Sequence, residues 1–225
     1  MLNSHFPRVP GDVGNASTWP FPVHYRVVEG ASPGRVVRSL SNSGLLEPFA
    51  RAARDLEGMG ISALTTNCGF LILYQKEIQK QVNIPFISSS LLQVPWLQVT
   101  MPPGRRVGVL TIEKASLTPE HVAAAELPAD LPVVGMDEVG GYFVDAILGD
   151  RNELDVRRAQ EEHIAAAALL VSRHPDVATI VLECTNMPPY ANAIRNATGL
   201  PVHDLTTLVT WIVQGQRRRR FFGWM

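Results

Sequence analysis

Cysteine is nearly absent from this chain, with two residues in 225, Cys68 and Cys184, lying 116 positions apart. That spacing excludes a CxxC redox pair and a disulfide framework. A single long-range bridge is unusual in a reducing compartment. Neither cysteine has a His or Cys within four positions, so a zinc site lacks its ligands, and no metal is expected. Lysine is also scarce: Lys76, Lys80 and Lys114 are the only three. The first two share a wet helical face, which leaves Lys114 alone for a pyridoxal Schiff base and argues against that chemistry. No GxGxxG or Walker pattern appears, and GDVGN (Gly11 to Asn15) lacks the spacing of either. No apolar run approaches the roughly 18 residues of a membrane helix. The longest, Ile164 to Val171, is half alanine between His163 and Ser172. Met1 to Pro10 carries no apolar signal core. The net charge of -1 gives no general attraction to nucleic acid or anionic lipid. The chain therefore reads as cytoplasmic, with neither nucleic acid nor membrane as partner.

What is present is a globular composition, 46% hydrophobic and 18% charged, enough for one large or two small domains at about 150 residues each. Short β-rich runs alternate with amphipathic stretches, which predicts an α/β fold with parallel sheets flanked by helices. Phe49, Ala52, Ala53 and Leu56 mark a helix over Glu47 to Gly58, followed by a strand over Ile61 to Thr65. A helix over Gly69 to Val82, a strand over Ile84 to Ile87 and a Pro95-interrupted helix over Leu91 to Gln98 follow. Met101-Pro102-Pro103-Gly104 punctuates the chain. Beyond it come a strand (Arg106 to Ile112), a helix (Pro119 to Ala125), a strand (Pro132 to Gly135) and a helix near Gly140 to Leu148. A long helix over Glu153 to Arg173, capped by Asn152, precedes the strand Ala178 to Glu183. The end reads as a helix (Met187 to Ala197), a strand (Leu200 to His203) and a last helix begun by Asp204.

Each half holds a buried strand that runs into a cysteine: ISALTTNC and ATIVLEC. Parallel sheets bind ligands at the carboxyl ends of their strands, so two facing halves place both sulfurs on one cleft. A cysteine at a strand end and helix start gains thiolate character. The neighbouring Asn67, Gly69, Thr185 and Asn186 are small donors that suit a substrate carboxylate. One thiolate removing an α-proton, with the opposite thiol supplying another, inverts the carbon without a cofactor. The competing reading is two small buried hydrophobes.

TTNCGF (Thr65 to Phe70), RVGVLT (Arg106 to Thr111) and LECTNMPPYANAIRNATGLPV (Leu182 to Val202) resemble the aspartate/glutamate/hydantoin racemase superfamily. That superfamily also contains arylmalonate decarboxylase and maleate isomerase. RVPGDVGN (Arg8 to Asn15) resembles a loop after the first strand in some members. The resemblance implies two pseudo-symmetric lobes, residues 1–103 with 204–225 and residues 104–203, with the site between them and the last helix returning to the first lobe. It implies no cofactor, a homodimer, Cys68 and Cys184 as the acid/base pair, and Thr185 and Asn186 as carboxylate donors. Amino-acid racemases commonly read Cys-Asn-Thr where this chain has Cys68-Gly69-Phe70. The family begins with a full strand, of which Met1 to Arg8 supplies the end.

The expected activity is a cofactor-independent racemase or epimerase, hence an isomerase, acting α to a carboxylate. Amino acids such as aspartate or glutamate, and hydantoins, are candidate substrates. Decarboxylation or cis–trans isomerisation of a small diacid is the alternative on the same scaffold, and a non-catalytic ligand-binding protein is the third reading. A redox switch is weaker still. Thr111, at a strand end, and Asp12 and Asn15, in a glycine-rich loop, are further pocket candidates; strand-end bonding and turn formation are their plainer roles. Ser88, Ser89 and Ser90 read as a capping cluster or as cleft residues. Buried, Glu183 would oppose thiolate formation next door, unless it pairs with an arginine. Arg217 to Arg220, with Phe221, Phe222 and Trp224, reads as a solvated tail or subunit contact.

Overall fold

The computed structural model describes residues 1–216 together with 218, 220, 222 and 223. α1 (Pro33–Ser39) and α2 (Leu46–Gly58) precede β1 (Leu64–Thr65). A 3-10 helix (Gly69–Tyr74) then runs into α3 (Gln75–Gln79), followed by β2 (Phe86–Ile87) and α4 (Val94–Thr100). Next come β3 (Arg106–Thr111), α5 (Pro119–Ala124), β4 (Val133–Gly135), α6 (Tyr142–Leu148) and α7 (Val156–Arg173). β5 (Val177–Leu182), α8 (Ala191–Thr198), β6 (Val202–His203) and α9 (Leu205–Gln216) complete the described elements.

All pairing between these strands is parallel. β1 and β2 form one small sheet, with Leu64 opposite Phe86. The second sheet has the order β4-β3-β5-β6, with Val109 opposite both Val133 and Val181. β3 and β5 are covered on both faces, which is why RVGVLT and VATIVL read as unbroken apolar runs rather than alternating ones. α7 lays Ala159, Ala166, Ala167 and Leu170 against this sheet. Its alanines allow a close approach, and Gly108 sits where a Cβ would be 2.9 Å from Leu170 Cδ2. Leu170 is fully buried, so truncating it to Ala would cost about 2–5 kcal/mol. α9 packs Leu205, Leu208 and Val209 against Val13, Trp19 and Ile87.

Local details depart from the sequence reading. The long helix starts at Val156 with Asp155 as its cap, accepting from the backbone N–H groups of Arg157 and Arg158. Asn152 lies outside it, because the Asp155 N–H is held at 2.6 Å by the Tyr142 hydroxyl. The helix after Cys68 opens as six residues of 3-10 structure before becoming α-helical. β1 and β2 are two residues each, shorter than the apolar runs around them. Asp204 does cap the last helix, accepting from Thr206 and Thr207. Of the basic tail, Arg217, Arg219, Phe221 and Trp224 lie outside the described residues. Among the described residues, no helix is long and apolar enough to cross a membrane.

Candidate active site

Both cysteines end strand-to-helix turns, and both turns open onto one cavity. Cys68 is the extended residue (φ -155°, ψ 120°) before the 3-10 helix, so the Phe70 and Leu71 backbone N–H groups face its sulfur. Cys184 follows β5, and its turn closes with the Met187 N–H on the Cys184 carbonyl, 3.1 Å. The two turns are bonded to each other: the Thr185 hydroxyl donates to the Asn67 carbonyl at 2.5 Å.

The cavity measures about 20 Å³, room for roughly one water. Asn67, Cys68, Phe70, Glu183, Cys184, Thr185 and Asn186 line one side. Leu2 and Phe6 from the N-terminal segment, Pro33 and Val37 from α1, and Ile147 and Leu148 from α6 close the other. A carboxylate substrate does not fit this volume as it stands. The N-terminal part of this apolar cover is pinned by Asp150, which accepts from the His5 and Phe6 backbone N–H groups at 2.6 and 3.2 Å. Arg8 also holds it, bonding Ser4 Oγ and stacking over the Phe6 ring, 4.5 Å from the centroid. A larger cavity of about 260 Å³ lies between Trp19–Arg26 and Gly60–Asn67, and neither thiol lines it.

Burial dominates the electrostatics. It pushes the Cys68 thiol up to about 12, and the nearby Glu183 carboxylate pushes the same way. Burial also raises Cys184 well above the ordinary thiol value, with Glu183 and Cys68 adding to the shift. Glu183 is itself fully buried and raised to about 7 by burial, against the pull of the Thr111 hydroxyl and the Ile112 N–H. Among the described residues no arginine pairs with it. Thr111 Oγ1 donates to its Oε2 at 2.9 Å, and Oε1 has no partner. Gly69 lies against that oxygen so closely that any Cβ would collide with Glu183 Oε1 and with the Glu183 carbonyl.

The remaining candidates divide by position. Asp12 stands one step behind the cavity: it accepts from Asn186 Nδ2 at 2.6 Å and pairs with Arg8 at 2.9 Å. Thr111 likewise acts through Glu183. Thr185 and Asn186 line the cavity, but the Thr185 hydroxyl hydrogen is committed to the Asn67 carbonyl and one Asn186 N–H to Asp12. The free donor is Asn67 Nδ2, buried and without a partner, while its Oδ1 accepts from the Leu2 N–H. Asn15 does not reach the site; it caps a surface turn at Ser17 and donates to the Arg8 carbonyl. Ser88, Ser89 and Ser90 are buried, but they bond Gln75, the Leu91 N–H and the Leu182 carbonyl. Leu2, Phe6 and Arg8 escape sequence reasoning, because closure by a distant segment leaves no local pattern. Among the described residues no group of three or more His, Cys, Asp or Glu is placed to hold a metal ion.

Two parallel-sheet halves with a thiol turn on each, facing across a closed cavity, define a class, and the comparisons agree with it. The Asp/Glu/Hydantoin racemase family matches residues 38–213, and this chain belongs to that family. A curated relative, a dimethylsulfoniopropionate lyase of Durusdinium sp. clade D, is 30% identical over 95% of this chain and 72% of its own length. Dimethylsulfoniopropionate lyase 5 of Emiliania huxleyi is 30% identical over 99% of this chain, which spans 45% of that protein. Among solved structures, the Gly74Cys mutant of arylmalonate decarboxylase superposes with a TM-score of 0.64 at 16% identity, covering 99% of this chain and 94% of that one.

Proposed function

We propose that this protein removes a proton α to a carboxylate with a thiolate and expels a neutral leaving group from the β-carbon. The substrate is dimethylsulfoniopropionate or a close relative. The thiolate takes the α-proton and becomes a thiol. The electron pair left on the α-carbon forms the carbon–carbon double bond, the carbon–sulfur bond breaks, and dimethyl sulfide departs, leaving acrylate. Bulk solvent then receives the proton from the thiol. Developing negative charge spreads onto the carboxylate, where Asn67 Nδ2 is the free donor.

The observation that carries α-proton chemistry is that Cys68 and Cys184 line one closed cavity with neutral donors beside them. Elimination is favoured over other fates of the carbanion by the relatives, which are dimethylsulfoniopropionate lyases over nearly the whole chain. A second reading, inversion at the α-carbon as an isomerase, is favoured by the presence of two thiols rather than one. The two differ in what they need: elimination requires one base, inversion requires an acid and a base on opposite faces.

The test is headspace assay of dimethyl sulfide from dimethylsulfoniopropionate, with wild type, Cys68→Ala and Cys184→Ala. Release by wild type, abolished in at least one variant, supports the lyase. No release by wild type, with α-inversion of a chiral carboxylate lost in both variants, replaces it with the isomerase.

A further inference from the structure

Five buried side-chain atoms among the described residues lack a hydrogen-bond partner, and two of them belong to residues lining the thiol cavity. One is a donor, Asn67 Nδ2. The other is an acceptor, Glu183 Oε1. Asn67 is 4% exposed and Glu183 is 0% exposed, so bulk water satisfies neither. A buried carboxylate oxygen with no partner is costly, and it is retained here beside both thiols.

The charges around it are few. β3 contributes Thr111 and the residue after it, Ile112, the 3-10 helix contributes Gly69 and Phe70, and α1 contributes Pro33 and Val37; none of these is charged. Arg8, the cation that acts on Cys68, is paired with Asp12 at 2.9 Å. The other titratable groups are the two thiols, which hold their protons across neutral pH. The lining thus holds an unpartnered donor, Asn67 Nδ2, and one unneutralised carboxylate, beside the neutral thiols, Thr185 and Asn186 and the apolar Leu2, Phe6, Phe70 and Ile112.

From this pairing we infer that Glu183 is the counter-charge for a methylated cation carried by the substrate, while Asn67 holds the substrate's carboxylate. This deepens the reading given above and rests on it. A primary ammonium has three N–H donors to satisfy, and Glu183 Oε1 is the one buried side-chain acceptor of this lining without a partner among the described residues. A sulfonium or quaternary ammonium has none, and its methyl groups suit an apolar surface. A cation against Glu183 also offsets the negative charge that adds to burial in keeping both thiols protonated, so a thiolate forms more readily with substrate in place.

The experiment measures protection of the two thiols from iodoacetamide, followed by mass spectrometry. Three probes are compared: 3-(trimethylammonio)propanoate, its isostere without the cation, 4,4-dimethylpentanoate, and 3-aminopropanoate. In wild type the methylated cation should protect at a concentration at least about tenfold lower than the other two. In Glu183→Gln, which keeps the Thr111 bond, the gap between cation and isostere should vanish. Within wild type alone, the gap should narrow toward pH 5.5, where Glu183 gains a proton, and reach its full size by pH 8. Equal protection by all three probes in wild type, or an undiminished gap in Glu183→Gln, overturns the inference. Dimethyl sulfide release is scored separately. A gap without release refutes the lyase reading alone, and release without a gap refutes the role of Glu183 alone.

Discussion

Asn186 donates from Nδ2 to Asp12 Oδ2 at 2.6 Å, and that bond fixes which end of the amide faces Cys184. A carboxylate accepts only, so Nδ2 must point at Asp12 and Oδ1 at the sulfur. Cys184 therefore donates its S–H to Asn186 Oδ1, 3.5 Å away. In the closed site this thiol is held as an acid by a chain that runs through Asp12 to Arg8. Cys68 has no such acceptor fixed beside it and faces backbone N–H groups instead.

Breaking that chain should destabilise the fold. Asp12→Ala leaves the Arg8 guanidinium, whose side chain is 12% exposed, without its partner. A buried charge stranded in this way costs about 3–5 kcal/mol, which lowers the melting temperature by on the order of 10 °C in a chain this size. Thermal unfolding followed by circular dichroism checks it. A shift under 2 °C would show that the pair is not structural.

Gly69→Ala should damage the site without removing any functional group. The added methyl meets Glu183 Oε1 and the Glu183 carbonyl, so either the thiol turn or β5 must shift. A displacement near 1 Å at the reacting groups costs on the order of 100-fold in rate. Steady-state kinetics should show kcat lowered by that order. Unchanged kcat would mean that Glu183 moves aside freely.

The buried Glu183 should leave a signature in stability against pH. Its folded pKa is about 7, above the usual carboxylate value of 4.5. Its folded state favours the protonated form, so this contribution is complete below pH 4.5 and is lost as pH rises through 7. His163 acts in the opposite direction: buried neutral, it is lowered to about 4 and destabilises the fold as pH falls below 6.5. The difference between Glu183→Gln and wild type isolates the carboxylate. That difference should move in favour of the variant from pH 4.5 to 7 and level off above it. A difference independent of pH would show that folding leaves the Glu183 carboxyl at its ordinary pKa.

Much of this site was legible before any coordinates. Strands covered on both faces read as apolar runs, and two of them ended at the cysteines, so the α/β class and the thiol turns followed from pattern. Local competition hid the rest. Asn152 and Asp155 are both good caps, three residues apart, and only the Tyr142 hydroxyl from another helix decides between them. Thr185 and Asn186 looked like free donors because nothing local reveals that Asn67, 118 residues away, takes the Thr185 hydrogen. The identity of the partner of Glu183 was open for the same reason, and β3 supplies it as Thr111.

The cover over the cavity gives a prediction about access. Asp150, in the left-handed region (φ 52°), ties the His5 and Phe6 N–H groups to the end of α6. Asp150→Gly keeps that backbone conformation and removes the tie. Alkylation of Cys68 and Cys184 by iodoacetamide should then speed up by about tenfold, as expected if freeing the Leu2 and Phe6 segment lowers the opening free energy by roughly 1.4 kcal/mol. Unchanged alkylation rates would place the entrance elsewhere.

The central claim is that a thiol in this cavity takes a proton from the α-carbon of a carboxylate. Its most direct test is proton NMR of dimethylsulfoniopropionate in deuterium oxide with wild type, Cys68→Ala and Cys184→Ala. The account predicts acrylate and dimethyl sulfide, or deuterium at the α-carbon of recovered substrate, with wild type, and loss of both signals when the base is removed. Products or exchange at the wild-type rate in both single variants would contradict it.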